Sequence, residues 1–195
     1  MSKQSIKDRR RARQRSKTVK TILVFGGASL GLLLVIGILI WPAVRPAAGE
    51  ALPEMSPDHV EEGADPGPYN SDPPTSGRHY ADSLQAGFYN VDDLEIIGPY
   101  PEGYLVHNLE HGYVIFWYNC ERLDRTSCEE LKIQIQAVME DVDNHKVIAF
   151  PRDTIETPLV LTSWGRLQQF DDFDESAIER FVRTNRNRAP EPHAD

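Results

Sequence analysis

Cysteine and methionine are scarce in this 195-residue chain. Two cysteines occur, Cys120 and Cys128, and they do not form a C-x-x-C motif. Only three methionines occur, and one of them is the initiator. The scarcity of methionine argues against a methionine-rich Cu(I) carrier. The absence of C-x-x-C removes the usual sequence signature of a thiol-exchange protein.

Basic residues are scarce after the first 20 positions. Residues 1–20 hold nine of the 21 basic side chains and one of the 30 acidic side chains. The rest of the chain therefore has 12 basic and 29 acidic residues, a net charge of −17. Such a surface repels nucleic acid and anionic headgroups and attracts cations, although acidity also serves solubility alone. We therefore expect no nucleic-acid partner.

Residues 21–41 form a long hydrophobic run without any charged side chain. At about 1.5 Å per residue, a helix of this length crosses the hydrocarbon core of a bilayer. The basic segment 1–20 precedes it, so the positive-inside rule predicts a cytoplasmic N-terminus and an extracytoplasmic C-terminal domain. We predict a single-pass protein of the cell membrane, held by this transmembrane helix. A cleaved signal peptide is the main alternative, but Pro46-Ala47-Ala48 is a poor cleavage site.

The chain after the hydrophobic run divides into two predicted parts. Residues 42–68 are rich in Pro, Ala, Gly and Glu and show no periodicity, which predicts a flexible stalk. His59 lies in this segment, and we assign it no role. Residues 69–191 are the predicted exported globular domain, which is long enough to bury a single core.

The pattern inside the domain predicts a turn-rich front section followed by regular elements. Helices are predicted at about residues 126–143, opened by a capping box at Thr126 to Glu129, and from about residue 174 onward. The predicted fold is α/β (α+β), a mixed β-sheet with flanking helices in the order β-α-β-β-α. The later part of this order also resembles the second half of a thioredoxin-like domain. The predicted strands are residues 113–118, 147–150, 159–163 and 166–170.

Cys120 and Cys128 lie in the loop between the first of these strands and the following helix. The predicted topology places them in an oxidising compartment, which favours a disulfide bond between them. A bridge over so short a loop adds on the order of 2–3 kcal/mol to stability by the chain-entropy estimate. Thiol exchange is the alternative, because Cys128 would lie at a helix N-terminus, where the pKa of a thiol is lowered.

The motif LVHNLEHGYVIFWY at residues 105–118 carries the most chemical information. His107 and His111 are four residues apart and face the same side of either a short helix or an extended segment. His79 lies upstream in NSDPPTSGRHY, a segment that its prolines and glycine fix as a turn. With the carboxylates of Asp72 and Glu110 nearby, these histidines are typical of a Zn, Cu or non-haem Fe site.

Two other interpretations of this motif remain open. His107 to His111 also fits H-x-x-E-H, the pattern of inverted zinc peptidases. Gly112 ends the helical turn at once and a strand follows, which argues against the long helix that such enzymes use. The histidines can also form a buried polar network without metal, in which Arg78 pairs with Glu110 or Asp72.

The order of several motifs resembles a known family. PPTSGRHY, a Gly-Phe-Tyr step, LVHNLEHGYV, TSWGRL and AIERFVRTNRNRAPE together resemble the bacterial domain of unknown function 3105 family, over about residues 69–191. The resemblance implies a membrane-anchored bacterial context. It also implies a domain in which His79, His107, Glu110 and His111 are family positions. It implies no reaction.

We therefore predict a membrane-anchored extracytoplasmic binding protein with a candidate metal site. The candidate ligands are His79, His107 and His111, and Glu110 is a candidate fourth ligand. The cofactor is a transition metal, Zn or Cu, and we assign no catalytic residues. One alternative is a cell-envelope interaction module that meets a protein partner through its acidic surface or aromatics. A thiol-disulfide redox protein is a second alternative. The aromatic candidates are Tyr100, Tyr104 and Trp164.

Overall fold

The computed structural model describes residues 46–194, apart from the side chain of Ile96, together with three helical residues, Gly31, Val35 and Ile36. The chain divides into two compact units, Met1–Arg45 and Pro46–Asp195. The predicted basic segment 1–20 and, except for those three residues, the predicted transmembrane helix 21–41 lie outside the described residues. Among the residues that are described, no helix is both long and apolar enough to cross a bilayer.

The second unit is built on a six-stranded mixed sheet in the order β1-β6-β5-β3-β4-β2. β3 pairs parallel with β4, and β4 pairs parallel with β2, whereas β3, β5, β6 and β1 pair antiparallel in succession. Because β3 and β4 are parallel, the helix between them crosses over one face of the sheet. The strands are β1 Glu50–Ala51, β2 Gly87–Phe88, β3 Val114–Tyr118, β4 Val147–Pro151, β5 Leu159–Ser163 and β6 Arg166–Phe170.

Three helices of nine or more residues flank the sheet: α1 Glu102–Glu110, α2 Arg125–Asp141 and α3 Glu175–Asn185. A single helical turn, Leu94–Ile97, precedes them. The predicted capping box at Thr126 is wrong, because Asp124 is the N-cap of α2 and accepts hydrogen bonds from the backbone N–H groups of Thr126 and Ser127. Asp174 caps α3 in the same way.

Two hydrophobic clusters fill the two faces of the sheet. On one face α2 and α3 pack against Val114, Phe116 and Tyr118 of β3. On the other face α1 and the front section pack against Ile115 and Trp117 of the same strand. This alternation is the period-two pattern of a strand that is buried on both sides. The mixed α+β architecture that the sequence predicts is therefore confirmed.

Residues 46–68, which composition predicts as a flexible stalk, belong to the same compact unit as the domain. β1 pairs with β6, and the backbone N–H of Ala48 donates to the Thr184 hydroxyl of α3 at 3.1 Å. His59 forms a parallel β-bridge with His79. The difference from the prediction has a physical cause. These contacts join positions far apart in the chain, and composition reports only local preference.

Candidate metal centre

The loop before His79 is held firmly enough to fix the imidazole. Thr75, Ser76 and His79 are fully buried. The Thr75 carbonyl accepts from the backbone N–H of Gly165 at 3.0 Å, which ties the loop to the β5–β6 turn. The Nδ1 of His79 lies 2.9 Å from the carbonyl oxygen of Gly77. Gly77 has a φ of +133°, a left-handed conformation that favours glycine.

Helix α1 contributes the second part of the site. His107 and Glu110 are three residues apart, so they share one face of the helix. The Nδ1 of His107 lies 2.8 Å from the carbonyl oxygen of Tyr80. Tyr80 is in turn fixed against α1, because its backbone N–H donates to the Gly103 carbonyl at 3.0 Å. A buried apolar face that includes Leu105 and Leu109 anchors the helix to the sheet.

His59 joins the site from the segment predicted as a stalk. Its backbone neighbours pair with His79, since the His79 carbonyl accepts from Val60 N–H at 2.8 Å and the His79 N–H donates to the Asp58 carbonyl at 3.2 Å. The His59 ring lies 4.9 Å from the His79 ring and 5.5 Å from the His107 ring, centroid to centroid. His59 is solvent-exposed, whereas His79 and His107 are buried.

Four side chains therefore converge, and each offers one ligand atom within 4.8 Å of every other. They are those of His59, His79, His107 and Glu110. The Nε2 of His79 lies 2.9 Å from the Oε2 of Glu110. Three of the four are buried and the fourth is exposed, so the cluster is open to solvent on the His59 side.

His111 lies beside this cluster but in a different group. His111 is the C-cap of α1. The next residue, Gly112, has a φ of +84°, so the chain leaves the helix directly after His111. Its ring is 4.3 Å from that of His107. Its ligand atom groups with those of Glu110 and Glu191 within 4.8 Å. Of the predicted histidines, the structure therefore brings His79 and His107 into one group and His111 into the next.

The electrostatics of the cluster keep His107 neutral. Burial and, after it, the neighbouring His111 imidazole lower the pKa of His107 from 6.5 to about 4. The hydrogen bond to the Tyr80 carbonyl opposes that shift. A neutral imidazole retains a lone pair, which is the form that binds a metal.

Four other residues that the sequence singles out make their polar contacts outside the cluster. Asp72 pairs with Arg152, and Arg78 donates to the Gly67 carbonyl at 2.8 Å. Trp164 is buried, and its indole N–H donates to Glu54. The Tyr104 hydroxyl bonds to Glu62.

The two cysteines form a disulfide bond, with a Cα–Cα distance of 5.2 Å. Cys120 directly follows Asn119 at the end of β3, and Cys128 lies in the first turn of α2. The helix that carries His107 ends three residues before β3, so the five-residue strand, about 16 Å long, lies between that helix and Cys120 along the chain.

The sequence gives no local signal for two of the residues that reach this region. His59 lies in a Pro- and Glu-rich segment, and Glu191 lies in the polar C-terminal tail. Neither has the regular spacing that singles out His107 and His111. Only long-range pairing brings them into place.

Comparison with known proteins supports a family and no further relative. No curated protein and no solved structure was found to match the chain. A family model described as "Protein of unknown function (DUF3105)" matches residues 59–195. The match begins at His59 and covers more than half of the chain. The chain therefore belongs to the DUF3105 family of proteins of unknown function.

Proposed function

We propose that this domain binds a transition-metal ion through His59, His79, His107 and Glu110, and that it does so outside the cytoplasm on a membrane-anchored chain. The observation that carries the metal proposal is the way in which the backbone orients two buried imidazoles. His79 and His107 each direct Nδ1 to a backbone carbonyl.

A carbonyl oxygen only accepts hydrogen bonds, so Nδ1 carries the proton in both rings. In the neutral imidazole the lone pair is then on Nε2. This is the usual arrangement of metal-binding histidines, whose second nitrogen donates to a carbonyl or carboxylate. In His79 that lone pair faces the Glu110 carboxylate at 2.9 Å. Two electron-rich atoms at this distance require either a proton or a metal ion between them.

The spacing of the donors supports a metal as that cation. Four ligands held tetrahedrally at about 2.0–2.1 Å from Zn²⁺ lie roughly 3.3 Å from one another. The Nε2 of His79 and the Oε2 of Glu110 are 2.9 Å apart, and all four ligand atoms lie within 4.8 Å of each other.

Three imidazoles with one carboxylate favour Zn²⁺ or Cu²⁺. Exposed carboxylates lie beside His59 in the sequence, at Asp58, Glu61 and Glu62. Their charge raises the local concentration of cations at the open side of the site. The exposed His59 marks the side from which an ion would enter the site.

The membrane location rests on the uncharged run 21–41 and the basic segment before it. Protease added to intact cells that lack an outer barrier should remove the domain and spare residues 1–20. Protection of the domain would overturn the proposed orientation.

The metal proposal is tested by titrating the metal-free, full-length protein with Zn²⁺ in competition with a chelator. The wild type should bind a first equivalent tightly. His79→Ala and His107→Ala should abolish that binding, and His59→Ala should weaken it. His145→Ala is the matched control, because His145 is exposed and outside the cluster. A wild type that takes up no Zn²⁺ and no Cu²⁺ would overturn the proposal.

A second candidate is an envelope interaction module in which the cluster is structural. The observation in its favour is that 2.9 Å is also a hydrogen-bond distance, so a proton shared by His79 and Glu110 would satisfy both groups. In that case the protein binds no metal, and His79→Ala lowers its stability in metal-free buffer. The acidic surface would then meet the partner.

A thioredoxin-like arrangement with redox activity is a third candidate. It is supported by the β5–β6 hairpin and terminal α3, and by the disulfide at the N-terminal end of α2. A cavity of about 210 Å³ adjoins Cys120 and is also lined by Val91, Leu94 and Tyr118. A reduction potential in the range of thiol exchangers would favour this function.

A further inference from the structure

We infer that the domain has a second, weaker cation position, formed by Glu110, His111 and Glu191, so that Glu110 bridges two metal ions. This inference rests on the proposed function, since it shares Glu110 with the first site. The two groups of ligands have Glu110 in common and otherwise use different residues.

The geometry of Glu110 allows it to bridge. A carboxylate has two oxygens and can bind one ion with each, as in sites whose two metals lie about 3.5–4 Å apart. The His107 and His111 rings belong to the two different groups, and their centroids are 4.3 Å apart. The two positions are therefore neighbours.

The His111 ring has a buried nitrogen without a hydrogen-bond partner, which a bound cation would satisfy. The His111 residue is 7% exposed, and its Nδ1 is buried without a hydrogen-bond partner. Its Nε2 lies 3.8 Å from the Oε2 of Glu191, beyond hydrogen-bond distance. A buried polar nitrogen without a partner carries a desolvation cost that folding alone does not recover. A cation bound through Nδ1 would satisfy that nitrogen, and Glu110 and Glu191 are the carboxylates that group with a ring nitrogen of His111.

The C-terminal tail is held in the position that delivers Glu191. The backbone N–H of Glu191 donates to the Glu110 carbonyl at 3.0 Å, and that of Asn187 donates to the Gly112 carbonyl at 2.9 Å. The buried Lys146 ammonium donates to the carbonyls of His111, Pro192 and Ala194, which ties the tail to the end of α1. The tail is therefore fixed to the same turn as His111.

The donor set predicts a lower affinity than at the first site and a preference for metal ions that bind oxygen ligands. One imidazole and two carboxylates suit Zn²⁺, Mn²⁺ or Fe²⁺, with water completing the shell. The Glu191 side chain is 60% exposed, and the Lys146 ammonium lies close to the His111 carbonyl. Both features reduce the affinity for a cation.

The experiment is equilibrium dialysis of the metal-free full chain against Co²⁺, with metal analysis and EPR at each loading. The wild type should bind two equivalents in separate steps, and its EPR signal per ion should fall on the second step as the bridged ions couple. His111→Ala and Glu191→Gln should each reduce binding to one equivalent and leave the first step unchanged. Glu179→Gln is the control, because Glu179 belongs to an acidic group without a histidine, with Asp141 and Glu175.

The outcomes separate the two proposals. One equivalent in the wild type, or two equivalents that His111→Ala and Glu191→Gln do not change, would overturn the second position and leave the first intact. Two equivalents without a change in EPR signal per ion would overturn the bridge. No bound Co²⁺ would overturn both sites.

Discussion

The Nε2 of His79 and the Oε2 of Glu110 lie 2.9 Å apart although 31 residues separate them in the chain. Both side chains are buried, and the His79 ring is oriented by the carbonyl of Gly77 on its other side. The pair therefore joins the turn-rich front section to helix α1. Its chemistry decides between a metal site and a structural network.

Glu110→Gln tests this pair with little change in shape. The amide removes the negative charge and one strong ligand, so we expect affinity for the first Zn²⁺ to fall at least about tenfold. A competitive chelator titration measures the change, with Glu179→Gln as the control for loss of one carboxylate. Unchanged affinity would exclude Glu110 as a ligand. A large loss of stability in metal-free buffer, without any metal binding in the wild type, would favour the structural network.

The stability of the metal-free protein should depend on pH through His107. Its pKa is lowered from 6.5 to about 4 in the folded state, first by burial and then by His111. The folded state therefore resists protonation, and the unfolded state takes up the proton as the pH falls below about 6.5. Stability should be highest above that pH and should fall by about 3 kcal/mol as the pH approaches 4.

Urea unfolding at several pH values measures this dependence. The groups that face His107 are the imidazoles of His59, His79 and His111 and the Glu110 carboxylate. His107→Gln should flatten the profile between pH 6.5 and 4, whereas His145→Gln at an exposed position should not. An equally steep profile for His107→Gln would assign the dependence to another group.

Gly103→Ala should disturb the site through Tyr80. A Cβ at this position would overlap the Tyr80 ring, which is packed and 2% exposed. We expect a loss of about 1–3 kcal/mol of stability from overpacking. Zinc affinity should also weaken, because the Tyr80 carbonyl orients His107. Adding Tyr80→Leu should restore part of the stability. If Gly103→Ala is as stable as the wild type and binds Zn²⁺ equally well, the prediction is wrong, and the contact between α1 and Tyr80 can widen without cost to the site.

Replacing both Cys120 and Cys128 by serine should lower stability by about 2–3 kcal/mol, the chain-entropy value for a loop of this size. The first Zn²⁺ should bind with unchanged affinity, because the disulfide lies at the opposite end of β3 from the histidines. Thermal unfolding and the chelator titration measure the two effects on the same sample. A lost metal site, or two free thiols in exported wild-type protein, would contradict a purely structural bridge.

Much of the second half of the fold follows from local sequence. Residues 159–163 and 166–170 are strands with the predicted bounds, because a turn at Gly165 separates two runs with a clear hydrophobic pattern. α3 follows Asp174 and buries Ile178, Phe181 and Val182, as the helical period predicts. Two weaker features have no clear local signal. β1 and β2 have only two residues each, and such short strands exist through their partners rather than through propensity.

The sequence by itself determined three features that depend on only a few neighbouring residues. It fixed the turn around His79, the spacing of His107, Glu110 and His111, and the short loop that brings Cys120 to Cys128. Only the tertiary structure decided which of these groups share a site. His59 reaches His79 through a β-bridge, and Glu191 reaches Glu110 through the C-terminal tail. These pairings depend on contacts between distant segments, and no local preference of the chain encodes them.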